Sequence, residues 1–568
     1  MAVRMKRVLY SVVASCAIAG ALCVPARAAG LNIESATIAD LNAAFGDGTL
    51  TSEQLVSAYL KRIEAYDKQG PAINAIITLN KKAIDEARQL DAERKSGTVR
   101  GLLHGIPVVL KDNYDTIDMP TTAGSQLLEG HMAKQDAFMV KKLREAGAIM
   151  LAKVNLHEFA GSGGSVSGAT DPAIIKAGSV PNGSSSAGGQ TKNPHELLHG
   201  PAGSSGGTGA SVAAAFAQFG LGTDTGGSIR NPSSANGIVG LKPTHGLLSR
   251  AGIVPLALSF DTGGPMARSV YDVAVALGVM TGVDPADDAT NKSAGRFERD
   301  YTKYLKTGAL KGARIGIPRA LFYEKTTWPG SDKPRGGLNA EQTKVMNDAI
   351  AVLKAQGAVI VDPADIPSVV DKSADRNLLN WGVCSDMDEV KEKKCSIDLA
   401  YGMERDFNHW LSTMGPNVPF KTLTELREWN EKHKTGGAIK YGQSLLDISD
   451  AMDLDLFKSR YEHDRAKDIE LTATHGIDEV MKAQNLDALL FPGPGSASVA
   501  SRPGYPTVIV PFGMIPNAPT PAFPESFKAN MQPFGVGFTA MACSEPTLLK
   551  FAYAFEQATK KRVPPPGL

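Results

Sequence analysis

Gly203-Ser204-Ser205-Gly206-Gly207, an Ala-rich run, and then Gly222-Thr223-Asp224-Thr225-Gly226-Gly227-Ser228-Ile229-Arg230 form the stretch from which the fold can be read. Between the two glycine frames, Ser211 to Phe219 predicts an Ala-rich helix. Beyond them, Gly237-Ile238-Val239-Gly240-Leu241 is an apolar, strand-like run. Upstream, Gly105-Ile106-Pro107-Val108-Val109-Leu110 is another, closed by Lys111 and followed by Asp112-Asn113. Short apolar runs alternating with helices predict an α/β architecture with a largely covered sheet.

The same alternation continues outward. Thr51-Ser52-Glu53-Gln54 has the capping-box pattern, followed by Leu55, Tyr59 and Ile63 on one helical face. A helix over Asp136–Glu145, Gly147 and a strand over Ala148–Ala152 repeat the order helix, glycine, strand. The order returns at Glu341–Gln356, Gly357 and Val359-Ile360-Val361, after a strand at Arg314–Ile317. Glycine is concentrated where the two serines lie, with 23 of the 58 between residues 161 and 265. Gly163 to Gly189 alone could be a flexible linker, but glycine between regular elements marks backbone that must turn tightly or approach a ligand. A motif-rich core spans about residues 100–270. Residues 372–475 are polar, helical in pattern and without a legible motif, and read as a solvated helical insertion.

Residues 1–28 predict a cleaved export signal. Arg4, Lys6 and Arg7 form a positive head, a mostly apolar stretch runs from Val8 to Val24, and Ala26-Arg27-Ala28 precedes a cut at Ala29. The apolar run falls short of the roughly 20 residues that span a bilayer, so no stable membrane insertion is expected after cleavage. Val13-Ala14-Ser15-Cys16 resembles a lipoprotein box, but the apolar run continues past Cys16, which argues against lipidation. The expected location of the mature chain, 29–568, is a periplasm or the outside of the cell. The whole chain holds 60 Lys and Arg against 59 Asp and Glu; the first 28 residues hold four of the cations and no acid, which leaves −3 for the remainder. A near-neutral chain without a basic tract lacks the charge footprint of a nucleic-acid binder.

Cleavage would leave Cys384, Cys395 and Cys543. Export makes a Cys384–Cys395 disulfide chemically permissible, and unpaired thiols fit the sequence equally well. No cysteine pair or His-Glu-x-x-His has metal-ligand spacing, the ten histidines are scattered, and His157-Glu158 alone is a weak signal. Neither a metal nor another cofactor is expected.

The chemistry available to these residues is amide hydrolysis without histidine. It needs a nucleophile, a base for its proton and donors for the tetrahedral oxyanion. Glycines in Thr225-Gly226-Gly227-Ser228 leave backbone N–H groups bare beside the Ser228 hydroxyl. Lys111 can act as base only when neutral, and its place at the end of an apolar run favours this, because burial disfavours the ammonium form. Ser204 or Ser205 can relay the proton. Gly203-x-Ser205-x-Gly207 also fits the nucleophile elbow of α/β-hydrolases. That elbow needs a strand directly before it, and Asn193 to Pro201 do not read as one. Ser228 could instead cap a helix starting at Ile229, though Pro232 leaves little room for one.

Taken in order, Lys111-Asp112-Asn113, Met119-Pro120-Thr121-Thr122-Ala123-Gly124-Ser125, the two serine frames, Gly240-Leu241-Lys242-Pro243-Thr244 and Asp261-Thr262-Gly263-Gly264-Pro265-Met266-Ala267-Arg268 closely resemble the amidase signature family. Gly504-Tyr505-Pro506 and Val510-Pro511-Phe512-Gly513 extend the likeness late into the chain. Gly189-Gln190-Thr191-Lys192-Asn193-Pro194 and Ala552-Tyr553-Ala554-Phe555-Glu556-Gln557 look most like bacterial peptide amidases. The resemblance implies a single α/β/α domain around a large mixed sheet. It implies a Ser–cis-Ser–Lys triad, with Ser228 acylated, Ser204 the relay on a cis peptide and Lys111 the base. It also implies an oxyanion hole from Thr225, Gly226, Gly227 and Ser228, with Asp224, Arg230 and Ser205 holding the loops. Ala202 stands where a glycine is common, but Gly203 is retained, which keeps the cis bond. The substrate implied is a small-molecule or peptide amide. Two other readings share the fold: a glutamine amidase subunit of a tRNA-dependent amidotransferase, and an inactive exported binding protein.

Overall fold

Parallel strands covered on both faces need near-continuous apolar runs, and the centre of this sheet supplies them. The structure is a computed structural model, and it describes residues 31–161, 181–414, 418–517 and 530–568. The export signal, Cys16 and most of Gly163–Gly189 lie outside the described residues. Eleven strands form the main sheet: β1 (Ile76–Leu79), β2 (Pro107–Lys111), β3 (Ile149–Val154), β4 (Phe219–Asp224), β5 (Val239–Lys242), β6 (Thr262–Ala267), β7 (Arg314–Gly316), β8 (Val359–Val361), β9 (Ala488–Pro492), β10 (Thr507–Pro516) and β11 (Met531–Thr539). Their order is β1-β3-β2-β4-β6-β5-β10-β11-β9-β7-β8. β2 runs parallel to β3 and β4, and β9 parallel to β7. β4 to β6 and β10 to β11 are antiparallel, so the sheet is mixed. β2, β3, β4, β5 and β6 are buried along their whole length.

The first capping box forms as read: Thr51 Oγ1 accepts from Gln54 N, and Leu55, Tyr59 and Ile63 are buried along Ser52–Tyr66. Other boundaries move. The helix expected from Asp136 begins at Phe138, because the Asp136 carboxylate is drawn to Arg144 Nε at 2.9 Å and Ile117 N at 3.1 Å. The Ala-rich helix is Gly206–Ala213 rather than Ser211–Phe219. Its glycines set the position: a Cβ on Gly207 would lie 2.2 Å from Asn155 O. Ala215 then takes a left-handed φ of 54°, and Phe219 opens β4, where β2 and β6 claim its backbone. A short helix does follow Ser228, over Arg230–Ala235, with Ile229 as its N-cap. Pro232 is tolerated there because the first turn of a helix needs no N–H.

The region from 372 to 475 is more than solvated helices. Met403, Phe407, Trp410, Leu423 and Leu426 pack with Ala123, Phe159, Ala160 and Leu256 in a second apolar core, directly over the glycine-rich loops. Cys384 and Cys395 are joined in a disulfide beside the short parallel pair Gly382–Val383 and Cys395–Ser396. No helix among the described residues is long and apolar enough to cross a membrane.

Candidate active site

β2 ends by carrying Lys111 into the interior, where it is fully buried. Its Nζ donates to Ser204 Oγ at 2.7 Å and to Thr223 Oγ1 at 2.7 Å. Burial is the largest influence on its charge and pulls its pKa down to about 7; the fields of Asp224 and Asp261 oppose this and are the weaker effect. Thr223 also accepts from Asn113 Nδ2 at 3.1 Å. Asp112, next in the chain, has a different task. It forms a fully buried ion pair with Lys153 at 2.9 Å and receives Thr122 N at 3.2 Å, which fixes the turn after the strand.

Ser204 follows a cis Gly203–Ser204 peptide bond, and its carbonyl accepts from His157 N at 2.9 Å. Ser205 does not face the site as a nucleophile would. Its Oγ donates to Thr223 O at 3.1 Å and accepts Thr223 N at 3.2 Å, while its own N–H donates to Ser228 O at 3.1 Å. No strand precedes it; Asn193 and Glu196 make only an isolated bridge. Ser204 and Ser228 are therefore joined through the Ser205 backbone. Among the described residues, no direct hydrogen bond links their hydroxyls.

Asp224 organises the second loop. One carboxylate oxygen receives Gly227 N at 2.8 Å and Arg230 Nη2 at 2.7 Å. The other receives Ile229 N at 3.0 Å and Arg230 Nε at 3.1 Å. Burial alone would raise this carboxyl, but the Arg230 charge and hydrogen bonds, aided by Lys242 and Ile229 N–H, outweigh it and hold it well below the usual carboxylate range. Arg230 Nη2 also reaches Ser501 Oγ at 2.6 Å, tying the loop to a distant segment. Thr225 Oγ1 donates to Asp261 Oδ1 at 2.5 Å.

This arrangement corrects the expected set of oxyanion donors. Gly227 takes a φ of 123°, which glycine permits, and its N–H is engaged by Asp224. Among the described residues, the N–H groups of Gly226 and Ser228 make no hydrogen bond. Gly226 is exposed and Ser228 half-buried, at the wall of a cavity of about 430 Å³. That cavity is lined by Thr225, Gly226 and Ser228 from the loop, by Leu256 and Phe260, and by Leu378, Trp381, Val383, Leu399 and Leu445 from the polar region. Sequence reading did not find this wall, nor Thr223 and Asn113 as partners of Lys111. Thr223 lies inside the quoted stretch, but nothing in its spacing distinguishes it from a strand threonine.

A sequence profile described as Amidase matches residues 54–549. A probable amidase of Arabidopsis thaliana is 34% identical over 540 residues, spanning 94% of this chain and 92% of the plant protein. The native peptide amidase of Stenotrophomonas maltophilia superposes with a TM-score of 0.77 at 36% identity, covering 94% of this chain and 98% of that one. A glutamyl-tRNA(Gln) amidotransferase subunit from Alkaliphilus metalliredigens is 39% identical over 331 residues, which is 58% of this chain and 60% of that protein.

Proposed function

Because the chain belongs to the amidase family and hydrolyses carbon–nitrogen amide bonds, we propose that it works through an acyl-enzyme on Ser228, with Ser204 as proton relay and Lys111 as base. The observation that carries this reading is the 2.7 Å hydrogen bond from a fully buried Lys111 to Ser204, at the foot of the loop that presents Ser228. Neutral Lys111 accepts the Ser204 proton while Ser204 takes the proton of Ser228, and the Ser228 oxygen attacks the carbonyl carbon. The Gly226 and Ser228 N–H groups receive the developing oxyanion. As the C–N bond breaks, the proton returns through Ser204 to the nitrogen, which leaves as ammonia or an amine. Water then attacks the acyl carbon, giving up a proton by the same route, and the carboxylic acid leaves. The Ser204–Ser228 hydrogen bond closes when substrate arrives, since catalytic contacts tighten in the Michaelis complex.

Likeness along nearly the whole chain to a peptide amidase, against 58% coverage by the amidotransferase protein, favours deamidation of C-terminal peptide amides. The N-terminal pattern and a buried disulfide at Cys384–Cys395 together support an exported, periplasmic enzyme, since such bonds persist in oxidising compartments. The test of the nucleophile is to treat the protein with a fluorophosphonate, map the adduct by mass spectrometry, and follow ammonia release from a peptide amide. An adduct on Ser228, with Ser228→Ala losing on the order of 10⁴-fold in kcat, is expected. An adduct on Ser205 with Ser228 untouched overturns the assignment.

A further inference from the structure

The charges lining the cavity at Ser228 are unbalanced in a way that bears on the substrate. Its walls are dominated by apolar side chains, among them Leu256, Phe260, Leu379, Trp381, Val383 and Leu445. Its only charged lining residues are Arg335 and Arg502, and no aspartate or glutamate lines it. Arg502 is already engaged, donating through Nη1 to the buried Asp468 at 2.7 Å and to Trp381 O at 3.2 Å. Arg335 is different. It is exposed on the second strand of the hairpin Lys325–Trp328 and Ser331–Gly336, and its guanidinium lies 6.0 Å from the centre of the Trp328 ring. Among the described residues it makes no ion pair. One uncompensated cation thus stands at the edge of an apolar cavity that holds the proposed nucleophile.

We infer that Arg335 selects amide substrates carrying an anionic group on the acyl side of the scissile bond, and disfavours those carrying a cation there. The inference rests on the reading of this chain as an amidase whose acyl group occupies the cavity beside Ser228. An apolar acyl residue fills the Leu- and Trp-lined walls, and the next group outward meets Arg335. A carboxylate there gains an opposite charge without displacing any existing partner. An ammonium is repelled and finds no acid in the lining. Because the site is partly open to solvent, the effect is modest and weakens with salt.

The experiment compares ammonia release from three N-acetylated dipeptide amides, each ending in leucinamide and differing only in Glu, Gln or Lys before it. At low ionic strength, kcat/KM should follow Glu over Gln over Lys, with about threefold at each step, carried in KM. Raising the salt to about 0.5 M should compress the series. Arg335→Gln should bring the Glu and Gln substrates together, and Arg335→Glu should place Lys above Glu. Equal rates for all three on the native protein, or a native order that survives in both variants, overturns the inference while leaving the amidase reading intact. Should none of the three release ammonia, the underlying reading falls, and the inference with it. The native salt series keeps the test decisive even if a variant folds poorly.

Discussion

At Lys111, burial and local charge act in opposite directions, and burial is the stronger. An ammonium beside two carboxylates would ordinarily stay protonated, but full enclosure brings the pKa to about 7. The base is the deprotonated form, so kcat/KM should rise with pH through about 7 and level off above it; below that point it should fall about tenfold per unit. A pH–rate profile on a peptide amide checks this. Lys111→Ala should remove the acid limb and most of the rate together. Lys111→Arg should be nearly inactive, because a guanidinium stays protonated. Near-native activity in the Arg variant would remove Lys111 from the mechanism. Thr223 shares the same ammonium group at 2.7 Å, and its role was invisible until β4 set it against β2.

The loop and short helix after β4 form a single electrostatic unit built on Asp224. Its carboxylate receives the Gly227, Ile229 and Arg230 N–H groups and the Arg230 side chain, all in a fully buried setting. Removing one partner of a buried ion pair leaves the other uncompensated, at a cost of about 3–5 kcal/mol. Asp224→Ala should therefore lower the urea midpoint by that equivalent, and it should also slow acylation by releasing Gly227 and the Ser228 loop. Unchanged stability would mean that Arg230 finds a new anion. At the same scale, Gly207→Ala forces a Cβ to within 2.2 Å of Asn155 O. A backbone neighbour cannot rotate away, so a loss of about 1–3 kcal/mol is expected in thermal or denaturant unfolding. The shifted helix boundaries belong here too. Ala-rich sequence can be helical over several registers, and the close approach of Gly206–Gly207 to Asn155 selects one.

For the molecule as a whole, the polar region contributes most of what the glycine-rich core lacks. Its apolar side chains cover the loops, and its segment from 378 to 383 walls the cavity. The disulfide anchors that wall at Cys384, one residue after Val383. Closing a loop of this length should contribute about 3 kcal/mol by restricting the unfolded chain. The Cys384→Ser/Cys395→Ser protein should lose about that much in denaturant unfolding, with a higher KM for peptide amides. Equal midpoints under oxidising conditions would show that the bond contributes nothing to stability.

The sequence alone determined the elements whose physics is local. Capping boxes, apolar runs and glycine frames specify their own conformations, so the capped helix at Ser52–Tyr66, the β2 run into Lys111 and the loop from Asp224 to Arg230 could be read before any contact was known. Proximity between distant residues has no such local signal. Only the tertiary structure decided that Thr223 and Asn113 meet at Lys111, that Gly227 N–H belongs to Asp224, and that residues 378–383 and Arg335 border the cavity of Ser228. Their spacing in the chain is set by loops, while their spacing in space is set by how the sheet, the second core and the buried charges pack together.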